Sequence, residues 1–346
     1  MSRSNLLEEL SWTDISTVAI IGLGVIGRAW ISVFARSGCR TRVYDVEPNE
    51  VEKALGWFAA ELEQDVETGC LTKEEAAART SLVTAESTLG AALGGAGYVQ
   101  ESGPERLDVK RALFAEIDRL AEPKAILASS TSTFDMTDIA RDLPGAHRCV
   151  VAHPVNPPNV IPVVEVVPST MTDLLIVEQA RDFLRSVGQK PVVLKSYVKG
   201  FIMNRMQTAL VCEAFRLVES GVADVEAIDT VISEGVGLRW ALMGPFGVGN
   251  TNADGGAREY FTRYRDAFIS TSNSLGFTPS FDPDLIDAVG TAMDQMVGVD
   301  RTSIRKWLRS YGAKNPLSEA SGSTSNNFDV SGPATPFPSS RPDYTA

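Results

Sequence analysis

The sequence predicts an α/β domain with a largely parallel sheet, followed by a mainly α-helical second domain. Up to about residue 195, short β-type runs alternate with amphipathic helical segments, which is typical of a sheet whose strands are joined by helices. From Gly200 onwards, helical patterns dominate and strand signals are few. A chain of 346 residues is also long enough for two domains.

The elements of the first domain follow from this alternation. The first strand covers residues 18–21, and the helical stretch at 28–37 ends before Gly38, a residue typical of helix ends. Further strands are predicted at residues 41–45, 81–83, 98–101, 125–128, 149–152, 163–167 and 191–194, and further helices at 49–69, 72–79, 107–120, 136–143 and 173–187.

The second domain is predicted as a series of helices at residues 201–221, 225–235, 257–275, 283–298 and 303–312. From residue 313, Ser, Pro, Thr, Asn and Gly dominate, and apolar residues are too sparse to build a core. We therefore expect an N-terminal extension at 1–15, an α/β domain at 16–195, a helical domain at 196–312 and a disordered tail at 313–346.

Composition argues against several classes of protein. A net charge of −12 disfavours binding to nucleic acid or to anionic membrane surfaces. No apolar run is long enough to span a bilayer, and the N-terminal residues have no hydrophobic core of the signal-peptide kind. The four cysteines show no metal-ligand spacing, so we expect reduced thiols in the cytoplasm and no metal site.

A glycine-rich loop follows the first strand and opens the first helix. Gly22 permits a tight turn, Gly24 lets the backbone approach a diphosphate, and Gly27 allows the helix to pack closely on the strand. The helix N-terminus adds unpaired N–H groups and the positive end of a dipole. A glycine-rich turn without a ligand is the alternative, but the context favours a Rossmann-type dinucleotide-binding domain. The cofactor-binding residues expected in this loop are Gly22, Gly24, Val25, Ile26 and Gly27.

Asp45 ends the second predicted strand and indicates which dinucleotide is bound. Its carboxylate can accept hydrogen bonds from the adenosine ribose hydroxyls, whereas a 2′-phosphate would face both Asp45 and Glu47. No Arg or Lys follows immediately, although Arg42 precedes Asp45 on the strand. The sequence therefore predicts NAD rather than NADP.

His153 is one of only two histidines in the chain, and Glu165 follows it in an apolar, β-branched run. Imidazole can take and return a proton near neutral pH, and a buried carboxylate needs a hydrogen-bonding partner. The two residues could therefore satisfy each other. Taken alone, His153 is more often a structural core residue than a catalyst.

Two further polar segments are candidates for the same site. The hydroxyl cluster at residues 129–133 follows a predicted strand, where ligands bind in open α/β sheets. The alternative role of this segment is helix capping, by Thr133 or Asp135. Asn204 lies in a predicted helix, although Asn has a low helix propensity. Either it makes a buried contact there or it is an ordinary surface residue.

These motifs resemble those of the 3-hydroxyacyl-CoA dehydrogenase superfamily, most closely its lambda-crystallin and L-gulonate 3-dehydrogenase branch. The resemblance covers about residues 16–310. The motifs that carry it are the loop at 22–27, Gln100–Glu101 with Pro104, Glu105 and Lys110, the serines and threonine at 129–132, the segments 151–158 and 161–165, and the segments 188–191, 200–205 and 233–239.

The resemblance implies a role for each of these residues. His153 would take the proton of a secondary alcohol, Glu165 would orient its ring, and Ser132 would contact the reacting oxygen. Asn204 would position the substrate, with Asn156 in support. The resemblance also implies a homodimer formed through the helical domain, and cofactor contacts from Glu105, Lys110 and Ser130.

The segment around Arg239 departs from the thioester-acting relatives and resembles the branch that acts on free hydroxy acids. A guanidinium binds a carboxylate well, so Arg239 is expected to anchor an acid group, with a structural ion pair as the alternative. Trp240 could hold a quaternary ammonium, as in carnitine dehydrogenases, or be a core or interface tryptophan. Asn250 stands where the sugar-acid enzymes are expected to have a histidine.

The leading hypothesis is therefore a reversible, NAD-dependent oxidation of a 3-hydroxy acid similar to L-gulonate. A 3-hydroxyacyl-CoA dehydrogenase and a carnitine-type 3-dehydrogenase are alternative enzymes. A non-catalytic, crystallin-like NAD-binding protein is an alternative from another class.

Overall fold

The computed structural model describes residues 15–275, 283–288 and 291. Over these residues the chain divides into two compact units, and the boundary lies between Arg205 and Met206. The predicted tail at 313–346, the predicted helix at 303–312 and nearly all of the predicted extension lie outside the described residues.

The first unit is an α/β structure, as the sequence predicts. Its strands are β1 (Thr17–Ile21), β2 (Arg40–Tyr44), β3 (Val83–Ala85), β4 (Tyr98–Glu101), β5 (Ile126–Ser129), β6 (Cys149–Pro154), β7 (Val163–Pro168) and β8 (Lys190–Val193). Its helices are α1 (Val25–Arg36), α2 (Pro48–Glu67), α3 (Lys73–Ser81), α4 (Leu89–Leu93), α5 (Leu107–Leu120), α6 (Met136–Ala140) and α7 (Leu174–Ser186).

Most element bounds agree with the sequence-based expectations to within a few residues, and the exceptions have local causes. Ser81 ends α3 instead of starting a strand, and β3 begins two residues later, at Val83; a capping box between Thr72 and Glu75 starts this helix. The short helix α4 was not predicted. Asp135 caps α6 by accepting a hydrogen bond from the Thr137 N–H at 2.8 Å, which resolves the capping alternative in its favour over Thr133.

The eight strands form one sheet in the order β3-β2-β1-β4-β5-β6-β7-β8. All neighbouring strands are parallel except β6 and β7, which are antiparallel. The order reverses direction between β1 and β4, and this switch point is where open α/β sheets bind ligands beyond the carboxyl ends of their strands.

Helices cover both faces of the sheet, which explains the continuous apolar runs of the central strands. Along β1, Val18 and Ile20 join one buried cluster with Trp30 and Phe34 of α1. The alternate residues of β1 join a second cluster on the opposite face, which contains Phe114 of α5. The sheet is thus a rigid base from which the loops at its edge project.

The second unit is helical. Its helices are α8 (Met203–Glu219), α9 (Val225–Thr230), α10 (Gly237–Leu242), α11 (Pro245–Thr251), α12 (Gly256–Arg263) and α13 (Arg265–Ser274). The first three residues of α8 belong to the α/β unit. A π-helical turn (Val231–Val236) links α9 to α10. The prediction of a single helix over 257–275 was wrong, because the chain breaks at Tyr264. Helices α10 and α11 were not predicted. In the part of the chain that the structure describes, no helix has the length and apolar character needed to cross a membrane.

Candidate active site

His153 and Glu165 face each other across the antiparallel strands β6 and β7. They are paired in the strand register, so both side chains lie on the same face of the sheet. His153 Nδ1 lies 2.9 Å from Glu165 Oε2, and both residues are buried. Their spacing in the sequence is therefore the spacing of a cross-strand pair.

The second carboxylate oxygen of Glu165 is held by the chain that leads into α8. Oε1 accepts hydrogen bonds from the backbone N–H groups of Ile202, at 2.7 Å, and Met203, at 3.0 Å. Phe201 makes this possible by adopting a left-handed backbone with φ of 50°, which is uncommon for a bulky residue. Its buried ring packs 5.4 Å from the His153 ring, between centroids.

These contacts determine the charge of Glu165 and the role of each His153 nitrogen. Burial alone would raise the pKa of Glu165, but the hydrogen bonds from His153, Met203 and Ile202 outweigh it and hold the pKa below its usual value. An ionised carboxylate accepts hydrogen bonds only, so Nδ1 of His153 carries the proton of that contact. In the neutral ring, Nε2 is then the nitrogen able to accept a proton.

Ser132 belongs to a loop that Glu105 holds in place. Glu105 Oε1 accepts hydrogen bonds from the Thr131 hydroxyl at 2.6 Å, the Ser132 N–H at 3.0 Å and the Thr133 hydroxyl at 3.0 Å. Burial raises the pKa of Glu105, but these hydrogen bonds and the nearby Lys110 together lower it, so the carboxylate stays ionised at neutral pH. The serine loop is therefore organised around one anion.

Asn204 and Ser132, predicted from separate motifs, are brought together. Asn204 is the second residue of α8, not an interior one, and its Nδ2 donates a hydrogen bond to the Ser132 carbonyl at 3.3 Å. Because Met203 next to it binds Glu165, the start of α8 contacts both the His–Glu pair and the serine loop.

The glycine loop has the geometry that a diphosphate requires. Gly22 has φ of 92°, and a Cβ on Gly27 would lie 1.9 Å from the Gly22 carbonyl oxygen, so neither position accepts a side chain. A Cβ on Gly24 would meet nothing within 4 Å, so the backbone there is open to a ligand. Val25 and Ile26 form the first turn of α1, whose N–H groups face the same end.

Asp45 is directed at this loop from the end of β2. Its Oδ2 accepts a hydrogen bond from the Leu23 N–H at 2.7 Å, and its Oδ1 accepts one from the Glu47 N–H at 2.9 Å. Arg42 is occupied elsewhere, because its guanidinium donates to the carbonyls of Ala91 and Gly94 at 2.9 and 2.7 Å. Arg42 is therefore not available to a 2′-phosphate beside Asp45.

Lys110 and Ser130 have protein partners inside the α/β unit. The Lys110 ammonium is 1% exposed and forms an ion pair with Glu101, whose Oε1 lies 2.9 Å away, and it also lies 3.4 Å from Glu105 Oε2. Ser130 Oγ contacts Gln100 and Ser102, each at 2.8 Å. The cofactor contacts expected of Lys110, Ser130 and Glu105 stay predictions.

The remaining candidates are exposed. Asn156 lies in the loop after β6, and Arg239 and Trp240 lie on α10 of the helical unit. Among the described residues, the Arg239 side chain makes no hydrogen bond or ion pair, so the structural ion pair proposed as its alternative role is not seen there. Asn250 caps a turn, since its Oδ1 accepts a hydrogen bond from the Ala257 N–H at 3.0 Å.

Sequence reasoning missed two residues of the site. Phe201 belongs to the motif at 200–205 and Glu101 to the motif that starts at Gln100, but the sequence assigned neither residue a role in the site. Glu101 accepts hydrogen bonds from Lys110, from the Ser129 hydroxyl at 2.5 Å and from the Gly103 N–H at 2.6 Å. A charged residue closing a predicted buried strand was the available signal, because such a carboxylate needs several partners.

Comparison with known proteins identifies the family. The sequence profile of the 3-hydroxyacyl-CoA dehydrogenase NAD-binding domain matches residues 17–197, and that of the family's C-terminal domain matches residues 200–275. The chain belongs to the 3-hydroxyacyl-CoA dehydrogenase family. The resemblance inferred from the motifs is confirmed, and so is the Rossmann-type fold followed by a helical domain.

Individual relatives extend over most of the chain. Lambda-crystallin of Oryctolagus cuniculus is 35% identical over 84% of this chain and 92% of its own length. L-carnitine dehydrogenase of Streptomyces coelicolor is 37% identical over 82% of this chain and 87% of its own. A solved structure of 5-formyl-3-hydroxy-2-methylpyridine 4-carboxylic acid 5-dehydrogenase, an NAD+-dependent dismutase, matches with a TM-score of 0.72 and 29% identity, covering 88% of this chain and 97% of that one.

As a member of the 3-hydroxyacyl-CoA dehydrogenase family, the protein is an NAD-dependent oxidoreductase. The residues present fit NAD. The backbone at Gly24 has room for a diphosphate. Asp45, which the sequence predicts at the adenosine ribose, lies with Glu47 after β2, so a 2′-phosphate at that place would meet two carboxylates.

Proposed function

We propose that the protein reversibly oxidises the 3-hydroxyl of a free 3-hydroxy acid similar to L-gulonate to the 3-keto product. The main observation in support of the proposal is the buried His153–Glu165 pair, which links β6 and β7 of the NAD-binding domain. A neutral imidazole with one nitrogen bound to a carboxylate is a suitable base for an alcohol proton.

His153 Nε2 accepts the hydroxyl proton as the alcohol is oxidised, and returns it in the reverse direction. Glu165 keeps Nδ1 protonated, orients the ring and stabilises the imidazolium that forms. When bound, NAD would accept the hydride that leaves the carbon bearing this hydroxyl. The ring of Phe201 and the surrounding strands exclude water from the pair, which strengthens its electrostatics.

Ser132 contributes its hydroxyl to the reacting oxygen. Glu105 and Asn204 fix the position of the Ser132 backbone from two directions, through its N–H and its carbonyl. A fixed backbone limits the positions that the Ser132 hydroxyl can take, so less reorganisation is needed when it donates to the reacting oxygen. In this role Asn204 also positions the substrate, with Asn156 in support.

The free-acid assignment depends on Arg239. Its side chain lines an open cavity of 570 Å³ on the helical unit, together with residues of α9, α10 and the π-helical turn. A guanidinium without a protein partner among the described residues is available to a substrate carboxylate. A free hydroxy acid carries such a carboxylate, whereas the acyl group of a simple 3-hydroxyacyl thioester does not.

A carnitine-type activity is the second candidate, and it is favoured by a specific observation. The L-carnitine dehydrogenases are among the relatives of the chain, and Trp240 is 41% exposed beside Arg239. L-Carnitine is itself a 3-hydroxy acid, and an exposed aromatic face can hold its quaternary ammonium.

Formation of NADH, followed by absorbance, separates these activities. The purified protein is incubated with NAD and, in turn, with L-gulonate, L-carnitine, other 3-hydroxy acids and 3-hydroxyacyl-CoA thioesters. We expect the highest kcat/KM with L-gulonate or a similar free acid. Turnover of thioesters alone would contradict the free-acid proposal. NAD binding without turnover of any candidate would favour the non-catalytic, crystallin-like function.

We further propose that the protein is a homodimer formed through its helical unit, and that it acts in the cytoplasm. Large apolar side chains of this unit are exposed, including Phe246 at 77% and Met206 at 60%, and a second copy of the chain could cover them. The unpaired cysteines fit a reducing compartment. Sedimentation equilibrium is expected to give twice the chain mass, and a monomer mass would contradict the proposal.

A further inference from the structure

A buried chain of hydrogen bonds runs from the core of the α/β unit towards the glycine loop. It begins at Tyr98, whose hydroxyl lies 2.8 Å from Gln100 Oε1. The Nε2 atom of Gln100 lies 3.3 Å from the Ala152 carbonyl oxygen. A carbonyl can only accept, so this contact fixes the orientation of the amide, and Oε1 must be the acceptor for Tyr98.

The fixed amide in turn determines which hydrogen bonds Ser130 accepts and which it donates. Gln100 Nε2 donates to Ser130 Oγ at 2.8 Å, and the indole N–H of Trp30 donates to the same oxygen at 3.3 Å. A serine oxygen has two lone pairs, so Ser130 cannot accept a third hydrogen bond. Its own proton must therefore be donated, and the available acceptor is Ser102 Oγ at 2.8 Å.

Ser102 is consequently left with a proton to donate. Its oxygen accepts from Ser130, and no protein acceptor for its own O–H lies within hydrogen-bond reach among the described residues. The side chain is half-buried, so its proton faces a space that is partly shielded from solvent. The O–H of Ser102 is therefore available to a ligand that approaches the end of β4.

The position of Ser102 indicates what meets it. It directly follows β4 at the switch point of the sheet, and a Cβ on Gly27 would lie 3.5 Å from its own Cβ. Asp45, expected at the adenosine ribose, ends β2 on one side of β1, whereas His153 ends β6 on the other side. A dinucleotide that reaches from one to the other passes the end of β4 with its nicotinamide half.

We propose that Ser102 donates a hydrogen bond to an oxygen of the nicotinamide ribose of NAD. The chain of donors from Tyr98 through Gln100 and Ser130 orients this hydroxyl before the cofactor binds. Pre-orientation means that little rotational freedom is lost on binding, so the contact contributes directly to affinity. Neither the glycine motif nor Asp45 predicts a cofactor contact at Ser102.

Isothermal titration calorimetry of the full-length protein with three ligands tests the proposal, without any need for turnover. In Ser102→Ala, we expect the Kd values of NAD and ADP-ribose to rise about fivefold, as for the loss of one neutral hydrogen bond. The Kd of ADP, which lacks this ribose, should not change. Ser102→Thr keeps a hydroxyl donor, so it should retain more of the affinity for NAD and ADP-ribose than Ser102→Ala does.

Ser37→Ala is the matched control, because this hydroxyl lies at the far end of α1 and bonds the Phe34 carbonyl. It should bind all three ligands as the wild type does. Wild-type affinity of Ser102→Ala for NAD would overturn the proposal. An equal loss of ADP affinity would overturn the assignment to the ribose. Failure of the wild type itself to bind NAD would overturn both this proposal and the NAD-dependent function on which it rests.

Discussion

The two units of the chain differ in how firmly their candidate residues are held. In the α/β unit, His153, Glu165 and Glu105 are each fixed by hydrogen bonds to other elements, and most of their neighbours are buried. In the helical unit, Arg239 and Trp240 are exposed, and Val248 is the single large apolar side chain that is fully buried among the described residues.

This difference indicates a division of roles. Proton transfer and cofactor binding need groups held to within a fraction of an ångström, which a packed sheet provides. In the proposed function, substrate choice is assigned to exposed groups, Arg239 and Trp240, which can change without disturbing the buried pair. Relatives of the chain carry different names, lambda-crystallin and L-carnitine dehydrogenase, at similar identity, as expected if the chemistry is shared and the substrate differs.

The largest effect is expected from His153→Gln in the α/β unit. Removing the base should lower kcat by about 10³-fold, within the range measured for general acid–base catalysis. The Kd of NAD should stay within a factor of about two, because we assign cofactor binding to other residues. Stopped-flow kinetics and calorimetry on the same preparation measure the two quantities. His147→Gln, the other histidine, is exposed and should behave as the wild type. If His153→Gln retains wild-type kcat, His153 is not the base.

An intermediate effect is expected from Arg239→Met in the helical unit. Loss of a charge-assisted hydrogen bond should raise KM for an acid substrate about 10- to 100-fold and leave kcat nearly unchanged. Steady-state kinetics with the best acid from the substrate panel measures both. Arg258→Met, an exposed arginine of α12 in the same unit, serves as the control. An unchanged KM in Arg239→Met would remove Arg239 from the substrate site and weaken the division of roles.

A smaller effect than that of Arg239→Met is expected from Asp45→Ala, which affects the cofactor alone. The Kd of NAD should rise about tenfold through loss of the ribose contacts, whereas NADP should lose less or gain, because a repulsive charge is removed. Calorimetric titration with each dinucleotide gives the ratio of Kd values. Asp142→Ala, at an exposed position after α6, is the control. Equal losses for both dinucleotides would show that Asp45 acts only by bracing the loop through Leu23.

Features governed by local rules could be predicted from the sequence. The strands appear as short β-branched runs, and the glycine loop is recognisable because φ at Gly22 and the close approach at Gly27 both require glycine. The pairing of His153 with Glu165 was a possibility that became specific through the surrounding motifs. The direction of β7 was not predicted, although the loop between β6 and β7 is too short for a parallel crossover.

Features that depend on distant parts of the chain could not be predicted. The second set of contacts to Glu165 comes from Ile202 and Met203, and it depends on the left-handed backbone of Phe201, which no local rule predicts for a bulky residue. The role of Glu105 as the anchor of the serine loop likewise needs β4 and β5 side by side. Arg239 and Trp240 stay predictions, because their partners are ligands.

The most direct test of the central claim, that Glu165 prepares His153 as a base, is nitrogen-15 NMR of the histidine side chains. The chain has only two histidines, so the His153→Gln and His147→Gln variants assign every signal. At a pH where the ring is neutral, we predict that His153 carries its proton on Nδ1, bonded to the carboxylate, and leaves Nε2 unprotonated. A neutral ring protonated on Nε2 would contradict the account, because that nitrogen could not then accept the proton of an alcohol.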